Sequence, residues 1–80
     1  MFFFFLFLET SKEDLGKKFI RASDKRDIKE MKRLLDLGAD VNFPDPSNMD
    51  MPPLSSTAYY GFKDVAEFLL NAGADRKLIQ

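Results

Sequence analysis

The chain has 80 residues, of which 45% are hydrophobic and 31% charged, and its formal net charge is −1. These values are those of an ordinary globular protein, so a wholly disordered chain is not expected, and the length allows at most one small domain. The sequence contains neither cysteine nor histidine. A disulfide framework and a zinc site built on thiolates are therefore excluded, and the most common general base is missing.

The charges are unevenly distributed along the chain. Residues 11–33 carry nine Lys or Arg against five Asp or Glu, whereas residues 34–75 carry one Lys against seven acidic residues. Nucleic-acid binding would require clustered cations together with stacking aromatic residues, but acidic residues interrupt the basic run at helical spacing. We therefore interpret the basic segment as a solvated helix face and expect no nucleic-acid partner.

The chain begins with an apolar run, Phe2–Leu8, and we assign residues 1–9 to a hydrophobic N-terminal extension. The run is far shorter than the ~20 residues of a membrane-spanning helix. It also lacks the basic n-region and the small-residue cleavage site of a signal peptide. Four interpretations remain open: a non-structural extension, a segment packing over the end of the fold, an incomplete export or membrane signal, and an aggregation-prone tail. No membrane partner is expected.

Two helices are predicted between residues 10 and 43. Capping-box spacing occurs twice at the start of the first helix, in Thr10/Glu13, which is the better match, and in Ser11/Asp14. The apolar face of this helix is formed by Leu15, Phe19 and Ala22. A polar break at Ser23–Asp27 follows, and the second helix has an apolar stripe at Ile28, Met31, Leu34 and Leu35. Gly38 ends it by supplying a positive φ.

A turn-rich connection and two further helices are predicted after residue 40. Prolines, Asn and Asp in residues 41–51 favour turns over helix. Pro52 and Pro53 open a short helix, because proline is suited to a first helical turn; this helix contains Leu54, Thr57 and Ala58. Gly61 makes the next turn. The last helix, which Gly73 ends, has an apolar stripe at Val65, Phe68, Leu69 and Leu70.

A seven-residue block recurs in the chain: Leu34–Asp40 returns at Leu69–Asp75, 35 positions later and without a gap. Such a period marks an array of stacked helical units. Together with Pro53-Leu54, Ala58, Gly61 and Val65 in the second unit, and Asp27-Ile28 and Val41-Asn42 in the first, the block resembles the ankyrin repeat family over about residues 13–75. The opening of the first unit, Asp14–Phe19, resembles an N-terminal capping repeat.

The resemblance implies an all-α, helix-turn-helix solenoid of two ankyrin repeats, residues 10–43 and 44–80, with a projecting hairpin-like loop. The sequence departs from the family pattern at several positions. Pro52 and Ser55 replace a threonine and a histidine, and Arg26 stands where a glycine is expected, which costs strain if φ is positive there. The 35-residue spacing is two residues longer than the repeat period of the family, and the extra length is assigned to the connection. Arg76-Lys77 replaces a Val-Asn pair, which indicates a polar cap or a truncation.

The resemblance also implies a non-catalytic protein–protein interaction module, an adaptor or scaffold or a fragment of a longer repeat protein, located in the cytoplasm or nucleus. In such arrays the hairpin tips and the inner helices bind the partner. The corresponding candidates are Tyr59 and Tyr60 on the inner helix, Asn48, Met49 and Met51 near the hairpin tip, and Arg21 and Lys25 in the first unit. Asn42 lies in the family pattern that an asparaginyl hydroxylase modifies.

Other functions have less support in the sequence. No serine has a histidine partner, so no catalysis is expected. Asp40, Asp45 and Asp50 lack the spacing of a calcium loop, and neither a metal nor a cofactor is expected. Because repeat arrays usually need three or more units, self-association or further repeats are also predicted. The alternative function is a small membrane-associated or secreted protein whose Phe-rich N-terminus acts as signal or anchor.

Overall fold

The computed structural model describes residues 11–75, which form four helices and no strand. The helices are α1 (Lys12–Asp24), α2 (Ile28–Asp36), α3 (Pro53–Tyr60) and α4 (Lys63–Asn71). The all-α prediction is thus confirmed for this range, in which no helix has the length and apolar character needed to cross a membrane. The predictions for residues 1–9, for Thr10 and for Arg76-Lys77 lie outside the described residues.

The four helices form two pairs of consecutive helices, which we call unit 1 (residues 11–43) and unit 2 (residues 44–75). Helix α1 packs against α2, α3 packs against α4, and α1 also packs against α3. The predicted apolar faces meet in one core, whose buried members are Leu15, Phe19, Ala22, Met31, Leu34, Leu54, Val65, Leu69 and Ala74. The remaining residues of the predicted stripes, among them Ile28, Leu35, Phe68 and Leu70, are half-buried at its edge.

Helices α2 and α4 end in the same backbone geometry, and both ends belong to the recurring block. In α2, the Ala39 N–H donates to the Leu34 carbonyl at 2.9 Å across Gly38, whose φ is 104°. The equivalent bond in α4 is also 2.9 Å and spans Gly73, whose φ is 99°. This closure requires a positive φ that glycine adopts without a steric penalty. The recurring sequence is therefore a recurring helix terminus.

Helices α1 and α3 also end in a common backbone geometry, and the two equivalent positions are again 35 residues apart. The residue after each C-terminal turn is left-handed: Arg26 has a φ of 57° and Gly61 a φ of 76°. The expectation of strain at Arg26 is confirmed, because left-handed backbone costs a residue with a Cβ about 1–2 kcal/mol. The Arg26 side chain reaches from unit 1 to unit 2, where it contacts the Asp64 carboxylate at 3.0 Å and lies 5.0 Å from the Phe62 ring centroid.

Two substitutions at position 26 separate the backbone strain from the side-chain contacts. Both Arg26→Ala and Arg26→Gly remove the contacts with unit 2, but only glycine also relieves the strain. We therefore expect Arg26→Gly to be more stable than Arg26→Ala by about 1 kcal/mol, in urea unfolding followed by circular dichroism. Equal stability of the two variants would show that the left-handed conformation carries no cost.

The start of α1 differs from the prediction. Ser11 occupies the N-cap position with extended backbone (φ −63°, ψ 128°), but its side chain makes no capping hydrogen bond. The prediction of a Ser11/Asp14 capping box is therefore wrong. The first turn is stabilised instead by backbone bonding, with the Leu15 N–H donating to the Ser11 carbonyl at 2.8 Å. Glu13 and Asp14 also lie where a helix dipole favours negative charge.

The end of α1 also differs, because the helix continues through Ser23 and Asp24. The predicted polar break at Ser23–Asp27 is thus too long, and the turn occupies only residues 25–27. Ser23 is 1% exposed, and its hydroxyl has no hydrogen-bond partner among residues 11–75. Its counterpart 35 residues later, Ala58, is exposed. The two residues hold the same place within their units, yet only Ser23 is buried.

Replacing Ser23 with alanine is expected to raise the free energy of unfolding by about 1 kcal/mol. The substitution removes a buried, unpaired hydroxyl and improves helix propensity. A suitable control is Thr57→Val, because the Thr57 hydroxyl is also buried but donates to the Leu54 carbonyl at 3.0 Å. Chemical denaturation should show a gain for the first variant and none for the second; a loss in Ser23→Ala would contradict the expectation.

Candidate functional site

The connection between the units contains a tight hairpin-like loop braced by Asp45. The N–H of Asp45 donates to the Met51 carbonyl at 3.0 Å, forming an isolated antiparallel bridge, and the Asp50 N–H donates back to the Asp45 carbonyl at 2.8 Å. The Asp45 carboxylate accepts bonds from the Ser47 N–H and hydroxyl at 2.9 and 2.7 Å. At the tip, Met49 and Asp50 have positive φ angles of 55° and 56°. Met49 is 93% exposed.

The two tyrosines lie at the C-terminal end of α3, beside this loop. Tyr59 is 82% exposed and Tyr60 55% exposed, so neither is part of the core. Their rings meet edge to face with centroids 5.4 Å apart, and the Tyr60 ring lies 5.6 Å from that of Phe62. The three aromatic side chains therefore form a continuous row that continues to the guanidinium of Arg26.

The loop and the end of α3 enclose a groove of about 300 Å³, which we call the tyrosine groove. It is lined by Asn48, Met51, Ser56, Tyr59 and Tyr60. Four of the predicted partner-binding residues are thus brought together on one concave surface. Within the groove wall, the Asn48 amide nitrogen lies 3.9 Å from the Met51 sulfur. Met49 is not part of the lining and projects from the loop tip beside it.

A second groove, which we call the charged groove, lies between the loop and α1. It has a volume of about 310 Å³ and is lined by Lys17, Ile20, Arg21, Asp24, Asp45, Pro46 and Ser47. Burial and the neighbouring Asp45 carboxylate raise the pKa of Asp24 above its ordinary value of 3.8. Arg21 therefore lies among charges of both signs.

Lys25 lies on neither groove and instead lines a shallow pocket on the outer face of unit 1, together with Arg21 and Glu30. On this face, Arg33 donates to both Glu30 carboxylate oxygens at 2.8 and 2.7 Å. The bond from Arg33 lowers the pKa of Glu30, against a smaller opposing effect of desolvation. The resemblance predicts Arg21 and Lys25 at equivalent positions of the first unit, beside the tyrosines, but neither residue lines the tyrosine groove.

The contact of Arg26 with unit 2 was not predicted and lies at the edge of the site. Partial desolvation tends to raise the pKa of Asp64, but the hydrogen bonds from Arg26 and the Val65 N–H outweigh it and lower that pKa. The sequence signal was the arginine in a glycine position. Such a departure indicates a compensating contact, although it does not identify the partner.

Asn42, the predicted hydroxylation site, is half-buried at the start of the connection. Its N–H donates to the Asp40 carboxylate at 2.9 Å, and its side-chain oxygen accepts a bond from the Asp75 N–H at 3.2 Å. Asn42 therefore joins the ends of the two units. Residues 11–75 contain no cluster of three acidic side chains that could hold a metal ion.

The tyrosine groove has one wall in the hydrogen-bonded loop, exposed aromatic faces, and polar atoms from Asn48 and Ser56. Recognition surfaces share these features. No known protein family, no curated protein and no solved structure matches the chain.

Proposed function

We propose that the chain is a two-repeat array of the ankyrin type and acts as a non-catalytic module that binds another protein. Two observations support the array. The helices of the two pairs end in the same backbone geometry 35 residues apart, and an antiparallel bridge joins Asp45 and Met51 in the connection. These observations agree with the sequence pattern of the family, in which the loop and the inner helix face the partner.

The observation that carries the binding function is the tyrosine groove. Tyr59 and Tyr60 are adjacent and 82% and 55% exposed, and contiguous exposed patches of this kind often mark interaction sites. Tyrosine is enriched among the residues that dominate binding energy, because it combines apolar area with a polar tip. Since the loop wall is fixed by backbone and carboxylate hydrogen bonds, binding would lose little conformational entropy.

The test replaces both aromatic side chains. Tyr59→Ala with Tyr60→Ala should weaken partner capture by at least about ten-fold, as expected for truncation of interface anchors. Captured proteins are compared by cross-linking and quantitative mass spectrometry, using the full chain as bait. Helicity measured by circular dichroism should stay unchanged, because both side chains lie outside the core.

A matched control changes two exposed residues, one on α2 and one on α4: Lys32→Ala with Glu67→Ala. Neither lines the tyrosine groove, so this variant should capture the same proteins as the unaltered chain. If the tyrosine variant also captures the same proteins in the same amounts, the groove is not the binding surface and the proposed function fails.

A further inference from the structure

The lining of the tyrosine groove carries no charge. Its five side chains are an amide, a thioether, a hydroxyl and two phenols. The faces of the tyrosine rings are regions of negative electrostatic potential, to which cations are attracted. A volume of about 300 Å³ is at the lower end of the range for ligand sites, so the groove suits one or two side chains rather than a whole helix.

The aromatic row that borders the groove already holds a cation at one end. The Arg26 guanidinium lies 5.0 Å from the Phe62 centroid, and Phe62 continues through Tyr60 to Tyr59. Within the described part of the chain, this is the one cation placed over an aromatic ring. At the other end, Tyr59 is 82% exposed. The exposed ring of Tyr59 thus offers a cation of the partner the same kind of aromatic face that Phe62 offers Arg26 within the protein.

The surrounding charge favours a cation as well. Residues 34–75 contain seven acidic residues against a single base, Lys63. Asp45 and Asp50 belong to the loop that forms one wall of the groove, and Asp50 is exposed at its tip. The basic residues Arg21 and Lys25 line other pockets. An acidic segment would be repelled by this surface, whereas a basic one would be attracted and oriented by it.

We propose that the tyrosine groove binds the arginine side chain of an extended basic segment in the partner, with the guanidinium on the rings of Tyr59 and Tyr60. This proposal rests on the proposed function and names the chemistry of the partner. Arginine is favoured over lysine because its planar, weakly hydrated cation stacks on aromatic faces. Met51 would pack against the aliphatic part of the same side chain.

The experiment compares three capped peptides that differ at two positions, where the side chain is cationic, neutral or anionic. The first is Gly-Ser-Arg-Leu-Arg-Ser-Gly, the second carries citrulline in place of both arginines, and the third carries glutamate there. Binding to the full chain is followed by NMR through the methyl signals of Met49 and Met51. We expect the arginine peptide to shift these signals and to bind about five-fold more tightly than the citrulline peptide, with weaker binding at high salt. The glutamate peptide should bind least.

Two variants test whether the rings are responsible. Tyr59→Leu with Tyr60→Leu keeps apolar bulk but removes both rings, and should reduce the preference for arginine over citrulline to the part that the surrounding acidic residues supply. Tyr59→Phe with Tyr60→Phe keeps the rings and should retain that preference. Equal shifts in the unaltered chain and the leucine variant would overturn the proposal.

The peptide experiment can fail without the proposed function failing. If arginine and citrulline peptides bind the groove equally, the cation proposal is overturned while the groove remains a binding surface. If no peptide shifts the methionine signals at millimolar concentration, the arginine proposal is likewise overturned. The function itself is then decided by the capture experiment with the alanine variant.

Discussion

Replacing Leu69 with alanine is expected to lower the free energy of unfolding by about 2 to 5 kcal/mol, the usual cost of a cavity in a packed core. Leu69 is fully buried, and its carbonyl accepts the bond that closes α4. For a chain of this length, the total stability is only about 4 to 12 kcal/mol. The variant should therefore lose a large share of the total stability and melt well below the unaltered chain, as measured by circular dichroism.

The neighbouring residue provides the control, because Leu70 has the same side chain but is only half-buried. Leu70→Ala should cost clearly less than Leu69→Ala. The same contrast is expected between Leu34→Ala and Leu35→Ala, 35 residues earlier, where Leu34 is fully buried and Leu35 is half-buried. Equal losses within either pair would mean that the core is not packed as described.

Replacing Gly16 with alanine is expected to lower the free energy of unfolding by about 2 kcal/mol, although helix propensity alone predicts a gain of about 1 kcal/mol. Gly16 is buried in α1, and the Phe43 ring lies against its Cα, so an added Cβ would overlap the ring down to its Cγ atom. That atom is close to the backbone, and relieving the overlap requires the ring and the connection to move.

A double-substitution cycle identifies the cause. In the Phe43→Ala background the ring is gone, so the change of Gly16 to alanine should become neutral or stabilising. The measurement is urea unfolding of the two single variants and the double variant. If Gly16→Ala is equally harmful with and without the Phe43 ring, the close approach is not its reason.

The helices could be predicted from the sequence because the information is local and repeated. The spacing of Leu15, Phe19 and Ala22 defines a helix face by itself, and the positions of Gly38, Gly61 and Gly73 identify turns that need a positive φ. Each of these features depends on residues within a few positions of one another. The all-α class and three of the four helix ends follow from such signals.

The contacts between distant residues could not be predicted. Gly16 and Phe43 are 27 positions apart, and nothing in the periodicity of α1 indicates which ring covers its glycine. The polar character of Ser23 predicts a turn, whereas the structure places it in α1 with 1% exposure. The bond from the Asp75 N–H to Asn42 depends in the same way on how the two units pack.

The candidate site was predicted in part for a related reason. Alignment with a repeat pattern locates Tyr59 and Tyr60 at a helix end and Asn48 and Met51 in the connection, and the structure places all four on one groove. The same alignment puts Arg21 and Lys25 beside the tyrosines, but neither residue lines that groove. Which groove a helix residue enters depends on how the loop lies against the helix, and this connection is longer than the family period.

The equal turns at Arg26 and Gly61 have a consequence for how such a chain can change in length. Residues 27–61 span one full period between two left-handed positions, and the N–H bonds that close α1 and α3 are both 2.9 Å long. A duplicated copy of this segment would begin and end in backbone geometry that the chain already adopts. Growth by whole copies therefore needs no new turn, whereas a duplicated segment of another length would not join two equivalent left-handed positions.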